Sequence, residues 1–350
     1  MKYQRRLLAG VSGYVPGEQP ENPHVVKLNT NENPYPPSPA VLEALRALDT
    51  ESIRRYPDPV CSRLRKAWAE RFGLPGPEWV IVGNGMDDIL SLAVRAFVDP
   101  GDDVVATYPT YSLYEVLCAL HGARLVYHDL DERFALPESL YQATGRLCFL
   151  TRPNAPTGVA ATREETAALC ERFPGVMFID EAYVDFADDH CMDYAVRYEN
   201  TLVARTFSKS FSMAGLRVGV AAGHPDLIAE MMKVKDSYNV NAFSQAAALA
   251  ALADWDYTRA CVERVRASRE RLRQQLMELG FRVPVSQANF LLAIRDGEPS
   301  ARALFEALRE RNIFVRYFPV RRLENALRVT VGDDAQCDAL VAALRDLLRG

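Results

Sequence analysis

Between residues 79 and 221 the chain alternates short apolar runs with helix-length segments, and this pattern limits the fold more than any other feature. The runs fall at 79–82, 103–106, 124–127, 147–150, 176–179, 201–204 and 218–221. Most lack the polar alternation of a strand with one wet face, so they suit a sheet buried on both sides. The segments 88–98, 111–120 and 162–171 between them read as helices. Together they predict an α/β fold with a mostly parallel central sheet covered on both faces. Such sheets bind ligands at the carboxyl ends of their strands. Residues 83–87, Asn154, Asp180 and Ser208-Lys209 stand at four of those ends.

The flanks read differently. Residues 1–35 are rich in Pro, Gly and Asn and suggest an extended arm. Ser38-Pro39 supplies a cap and a first-turn proline for a helix over 38–48, and residues 66–72 are also helical. A long helical stretch, 254–279, is followed by a strand (289–294), a helix (300–311), strands near 314–317 and 327–331, and a last helix from Asp333. At 350 residues and 49% hydrophobic composition the chain exceeds one typical domain. The expected division is an arm with part of a small domain (1–49), a large domain (50–255) and a small α+β domain (256–350).

Composition removes several function classes. The net charge is −5, with basic and acidic residues interspersed, which argues against a nucleic-acid partner or an anionic membrane surface. No apolar run approaches a membrane span. The seven cysteines contain no CxxC and lie mostly in apolar runs, so buried thiols in a reducing cytoplasm are expected. The five histidines form no HExxH and no Cys/His cluster, and no metal site is expected.

The chemistry centres on Lys209. An isolated lysine is usually a solvated charge. This one follows a strand, in Thr206-Phe207-Ser208-Lys209, with Arg217 eight positions on. A lysine in a partly apolar pocket can lose its proton and form an imine. Hydroxyls and a guanidinium beside it suit a phosphate. Asp180 ends an apolar run, either as a cap or as a carboxylate held against a pyridinium nitrogen. Tyr183 is placed to bond that ring's oxygen. Gly83-Asn84-Gly85-Met86-Asp87 precedes a helix, whose free N–H groups bind phosphate. It lacks the third glycine of a dinucleotide fingerprint, because Asp88 stands there. Tyr108-Pro109-Thr110-Tyr111 offers an aromatic ring for stacking on a flat cofactor, or for ordinary core packing.

In this order the motifs resemble the aspartate-aminotransferase-like superfamily of pyridoxal-phosphate enzymes, along almost the whole chain. The most specific piece is Ser208-Lys209-Ser210-Phe211-Ser212-Met213-Ala214-Gly215-Leu216-Arg217. Within the superfamily the chain is most similar to the histidinol-phosphate aminotransferase family. The residues behind that are Leu28-Asn29-Thr30-Asn31-Glu32-Asn33-Pro34-Tyr35-Pro36, Arg55-Tyr56-Pro57-Asp58-Pro59, Asp180-Glu181-Ala182-Tyr183, Val315-Arg316-Tyr317-Phe318 and Leu327-Arg328-Val329-Thr330-Val331-Gly332.

The resemblance implies pyridoxal 5'-phosphate as cofactor, carried by Lys209, which then shuttles the proton. It implies Asp180 at the ring nitrogen, Tyr183 at the ring oxygen and Tyr111 stacked on the ring. It implies Gly85, Met86, Asp87, Thr206, Ser208 and Arg217 around the phosphate, and Tyr56 reaching the other site of a homodimer. Arg328, with Arg316, Tyr14 and Asn33, would hold the substrates: glutamate or 2-oxoglutarate, and histidinol phosphate. One departure stands out. The family carries asparagine directly before Pro-Thr-Gly, facing the ring oxygen; here Ala155 occupies that place and Asn154 sits one residue early. Asn154 either substitutes through a rearranged turn or leaves the ring oxygen to Tyr183. Other readings remain open at this stage. They are an aromatic aminotransferase or phospho-amino-acid decarboxylase of the same fold, a nicotinamide-dependent oxidoreductase, and a non-catalytic relative.

Overall fold

The computed structural model describes residues 3–22 and 24–349; Met1, Lys2 and Pro23 of the expected arm, and Gly350, lie outside them. The strands are, in chain order, β1 (Val26–Lys27), β2 (Val80–Gly83), β3 (Asp103–Tyr108), β4 (Arg124–Asp129), β5 (Leu147–Thr151), β6 (Val176–Asp180), β7 (Thr201–Thr206), β8 (Gly219–Gly223), β9 (Phe290–Ile294), β10 (Ile313–Phe314), β11 (Arg316–Tyr317) and β12 (Ala326–Thr330). The large sheet has the order β2-β8-β7-β6-β5-β3-β4. It is parallel except for β8, which runs antiparallel to both neighbours.

The lack of alternation in the apolar runs has its cause here. Val82, Val105, Leu150, Ile179, Val203 and Val220 face one core, under helices Ser62–Phe72, Arg163–Arg172 and Ala242–Ala253. Ile81, Val104, Phe149, Phe178, Leu202 and Ala221 face the other, under helices Met86–Phe97, Leu113–His121 and Pro225–Val234. Both faces are dry, so both sets of alternate residues are apolar. Local signals agree with the register. Ser38 accepts from the Ala40 N–H ahead of helix Pro39–Arg46, and Thr162 with Glu165 forms a capping box.

The second sheet, β11-β12-β9, is antiparallel and packs with helices Trp255–Glu278, Ala301–Glu310 and Asp334–Arg349 around a separate core. The arm joins this part of the molecule: β1 pairs in parallel with β10. No described helix is long and apolar enough to cross a membrane.

The antiparallel course of β8 places Arg217. Because β8 begins where β7 ends, with Thr206 opposite Gly219, the residue two before β8 arrives at the same sheet edge as Lys209. On its other side Gly219 pairs with Gly83 of β2. The contact there is backbone on backbone. A Cβ at Gly219 would stand 2.6 Å from the Gly85 carbonyl and 2.7 Å from the Met86 nitrogen. Gly219→Ala should therefore destabilise the fold by about 1–3 kcal/mol, since neither atom belongs to a movable side chain. Denaturant unfolding measures this; an unchanged midpoint would mean that the strands separate freely.

Candidate active site

Beyond the carboxyl ends of β2, β3, β5, β6 and β7 lies a cavity of about 790 Å3. Its wall brings together Tyr14, Met86, Asp87, Tyr111, Asp180, Tyr183, Thr206, Ser208, Lys209, Arg217, Arg316 and Arg328. These residues are up to 314 positions apart in sequence, from Tyr14 to Arg328.

Asp180 ends β6 and is buried. It accepts hydrogen bonds from the Tyr114 hydroxyl at 2.7 Å and the Ala182 N–H at 3.0 Å. Burial pushes its carboxyl up to about 6 against those two bonds. A carboxylate so enclosed is stabilised when a cation or a protonated ring nitrogen stands against it.

Lys209 follows β7. Its Nζ donates to the Thr30 carbonyl at 3.1 Å and stands 5.6 Å from the Tyr183 ring centre. Burial, then the positive charge of Arg328, bring the amine down to about 8. A lysine in this state is a usable nucleophile and proton carrier near neutral pH. The Tyr183 ring is edge-on to Phe290, and its hydroxyl accepts from Asn31 at 3.1 Å.

The third element is an anion cradle. Helix Met86–Phe97 starts after Gly85 with no side-chain cap, so its first N–H groups point outward. Arg217 closes the other side. Its guanidinium makes only long hydrogen bonds, each 3.3 Å, to Ser208, the Ala214 carbonyl and Asp87. Gly85 has φ +90°, and a Cβ there would stand 2.6 Å from Arg217 Nη2. Glycine is thus favoured by conformation, and a Cβ there would push the Arg217 guanidinium aside. Thr206 accepts from the Ser208 N–H. Tyr111 lies above, with its hydroxyl donating to Asp87 at 3.2 Å and its ring edge-on to Tyr14 and Tyr114.

A buried acid, a low-pKa lysine and an uncapped helix end with a loosely bonded arginine fit pyridoxal phosphate part by part. The acid suits the ring nitrogen, the amine the carbonyl and the cradle the phosphate. The fold and the site define a pyridoxal-phosphate-dependent enzyme. Residues 23–344 match the family model described as aminotransferase class I and II. The chain belongs to that family and is a transaminase. It is 45% identical to histidinol-phosphate aminotransferase 1 of Trichormus variabilis, over 99% of each chain. It is 43% identical to the histidinol-phosphate aminotransferase of Microcystis aeruginosa, over 96% of this chain and 95% of that one. The histidinol-phosphate aminotransferase of Sinorhizobium meliloti, solved in complex with pyridoxal-5'-phosphate, superposes with a TM-score of 0.86 at 28% identity, over 92% and 90%.

Some expected residues stand elsewhere. Asn154 does not line the cavity. It donates to the Pro109 carbonyl and accepts from the Thr157 hydroxyl and N–H, which spends it on closing the loop. Ala155 takes the cavity wall instead. Asn33 donates to the Ser210 carbonyl, behind the lysine loop. Tyr56 is 80% exposed and stacks on Tyr238, away from its own chain's cavity. Tyr114, the donor to Asp180, carries no signal of its own in the sequence, although it sits one helical turn beyond Tyr111. Asn31, the partner of the Tyr183 hydroxyl, lies unmarked inside the stretch 28–36.

The state of Lys209 gives a pH test. The neutral amine attacks, so capture of pyridoxal phosphate by cofactor-free protein should accelerate as pH rises through about 8. Arg328 lowers the amine, so Arg328→Ala should move that midpoint upward, toward an ordinary lysine. Stopped-flow absorbance measures both; an unmoved midpoint would remove Arg328 as a cause.

Proposed function

We propose that the protein is a histidinol-phosphate:2-oxoglutarate aminotransferase. The observation that carries this reading is the cross-strand pair Arg316 and Arg328, directly opposed on β11 and β12. Like charges at opposed positions destabilise a sheet unless an anion joins them. Each guanidinium donates to backbone carbonyls rather than to a carboxylate: Arg316 to Val15 and Pro16, Arg328 to Asn29. Arg328 Nε is buried without a partner. Two forks at one cavity wall suit a phosphate as well as a carboxylate. The cavity is also lined by Tyr127 and Glu115; the Tyr127 hydroxyl donates to the Glu115 carboxylate at 3.4 Å, and that carboxylate suits an imidazole N–H.

Bound pyridoxal phosphate supplies an electron sink for the reacting carbon. The chain supplies the rest. Asp180 keeps the ring nitrogen protonated by charge pairing. Tyr183 bonds the ring oxygen, with Asn31 orienting its hydroxyl. Gly85, Met86, Asp87, Thr206, Ser208 and Arg217 hold the phosphate, and Tyr111 covers the ring. Lys209 Nζ would take the proton from the substrate's reacting carbon and pass it to the cofactor's carbonyl-derived carbon within the same half-reaction, and the second half-reaction would run that transfer in reverse. Arg328, with Arg316 and Tyr14, anchors the substrate's anionic group.

The exposed Tyr56–Tyr238 stack suits a second copy of the chain, and a homodimer is the proposed active unit. Residues 50–255 form the proposed cofactor-holding domain, and 256–350 with the arm the substrate-closing part. The seven buried free thiols suit a cytoplasmic protein.

Single-turnover kinetics of each half-reaction test the reading. A charge-assisted hydrogen bond contributes roughly 1.5–3 kcal/mol, so Arg328→Ala should lose about ten- to a hundredfold in both halves. Arg316→Ala should penalise histidinol phosphate more than glutamate. Wild-type protein that prefers phenylalanine or histidinol over histidinol phosphate would refute the assignment.

A further inference from the structure

Behind the cavity wall, on the side away from the cofactor cradle, lies a buried charge cluster that none of the roles above uses. Arg205, on β7 four residues before Lys209, is 3% exposed. Its Nε donates to Glu181 at 3.0 Å and its Nη1 to Asp185 at 3.2 Å. Its guanidinium lies 4.6 Å from the Phe72 ring centre, which fixes its plane. Glu181 is 1% exposed and is approached from its other side by Arg152 at 3.8 Å. The Ser210 hydroxyl donates to the second oxygen of Asp185.

The order of these residues along the chain is informative. Asp180 and Tyr183 line the cavity. Glu181 and Asp185, interleaved with them, point the other way and share one guanidinium. Ser210 is the neighbour of Lys209 and is itself 2% exposed. The chain of contacts therefore runs from the carboxylate strand, through Arg205 and Asp185, to the lysine loop. It ties together the two segments that must meet at one ring. Stability is a weak explanation for such a cluster, since buried ion pairs rarely exceed an apolar replacement. Fixing a register is their better-attested use.

We propose that Arg205, acting through Asp185 and Ser210, is a positioning residue that sets Lys209 relative to Asp180 and Tyr183. It touches neither cofactor nor substrate. Its effect is to hold the lysine loop at a fixed distance from the Asp180–Tyr183 segment while the amine moves protons. The inference rests on the reading of Lys209 given above.

Arg205→Met would leave Glu181 with only the more distant Arg152 as a cationic partner and Asp185 with only the Ser210 hydroxyl, and could prevent folding. Ser210→Ala removes only the last link, and Ser210→Thr retains its hydroxyl. The readout is the pH titration of the holoenzyme's visible cofactor band, alongside melting temperature and steady-state kinetics. The charges facing Lys209, namely Arg328, Glu32, Arg217 and Asp87, are unchanged in these variants. Ser210→Ala should move the band's midpoint by roughly half a pH unit or more. It should lower kcat about three- to tenfold with KM within about twofold, and Ser210→Thr should restore both. A Ser210→Ala protein with a lowered melting temperature but an unmoved midpoint and kcat would overturn the proposal and leave the cluster structural. A wild-type band that persists in Lys209→Ala would overturn the proposal together with the reading of Lys209.

Discussion

The burial of Asp180 is the constraint around which the site is arranged. A carboxylate with one phenol and one N–H for company, at the end of a strand closed on both sides, is costly as an anion. Its pKa rises to about 6 for that reason. Two outcomes are physically open: the group stays protonated and inert, or a positive charge stands against it. A protonated pyridine nitrogen is such a charge, and the same pairing makes the ring a good electron sink. The depressed amine of Lys209 answers the complementary need. One group waits for a cation; the other gives up its proton more readily than an ordinary lysine.

The fold supplies this arrangement through topology. The parallel strands deliver their ends to one edge, and the reversed β8 brings Arg217 to that edge without a crossover. Gly219 lets β8 approach the Gly85–Met86 turn at backbone distance. The second sheet adds a pair of arginines that have no anion of their own. In the proposed reading, cofactor groups come from the large sheet, and the substrate anchors from the small one with the arm.

Much of this was legible in the sequence because burial on two faces leaves a distinctive pattern. The seven apolar runs became the seven strands of the large sheet, and the Ser38-Pro39 start and the long helix near 254–279 appear within a residue or two. Helices Pro225–Val234 and Ala242–Ala253 were not read. The second is apolar on nearly every side, so it carries no 3.6-residue period to detect. The direction of β8 was not legible, since the connection from Thr206 to Gly219 is about the shortest that a crossover needs and its length leaves both directions open. Asn154 shows a different limit. A one-residue offset before Pro-Thr-Gly cannot say which way a side chain turns, and competition from Pro109 and Thr157 decided it. Tyr114, Asn31 and the Arg205 cluster matter through contacts across tens to hundreds of residues, which no local spacing encodes.

The central claim is that Lys209 alone carries the cofactor in a cavity completed by Asp180. Borohydride reduction of the holoenzyme, followed by peptide mass mapping, tests it most directly. The account predicts cofactor mass on the peptide containing Lys209 and on no other, and none in Lys209→Ala. Cofactor mass on another lysine, or no label on a protein that binds pyridoxal phosphate, would contradict it.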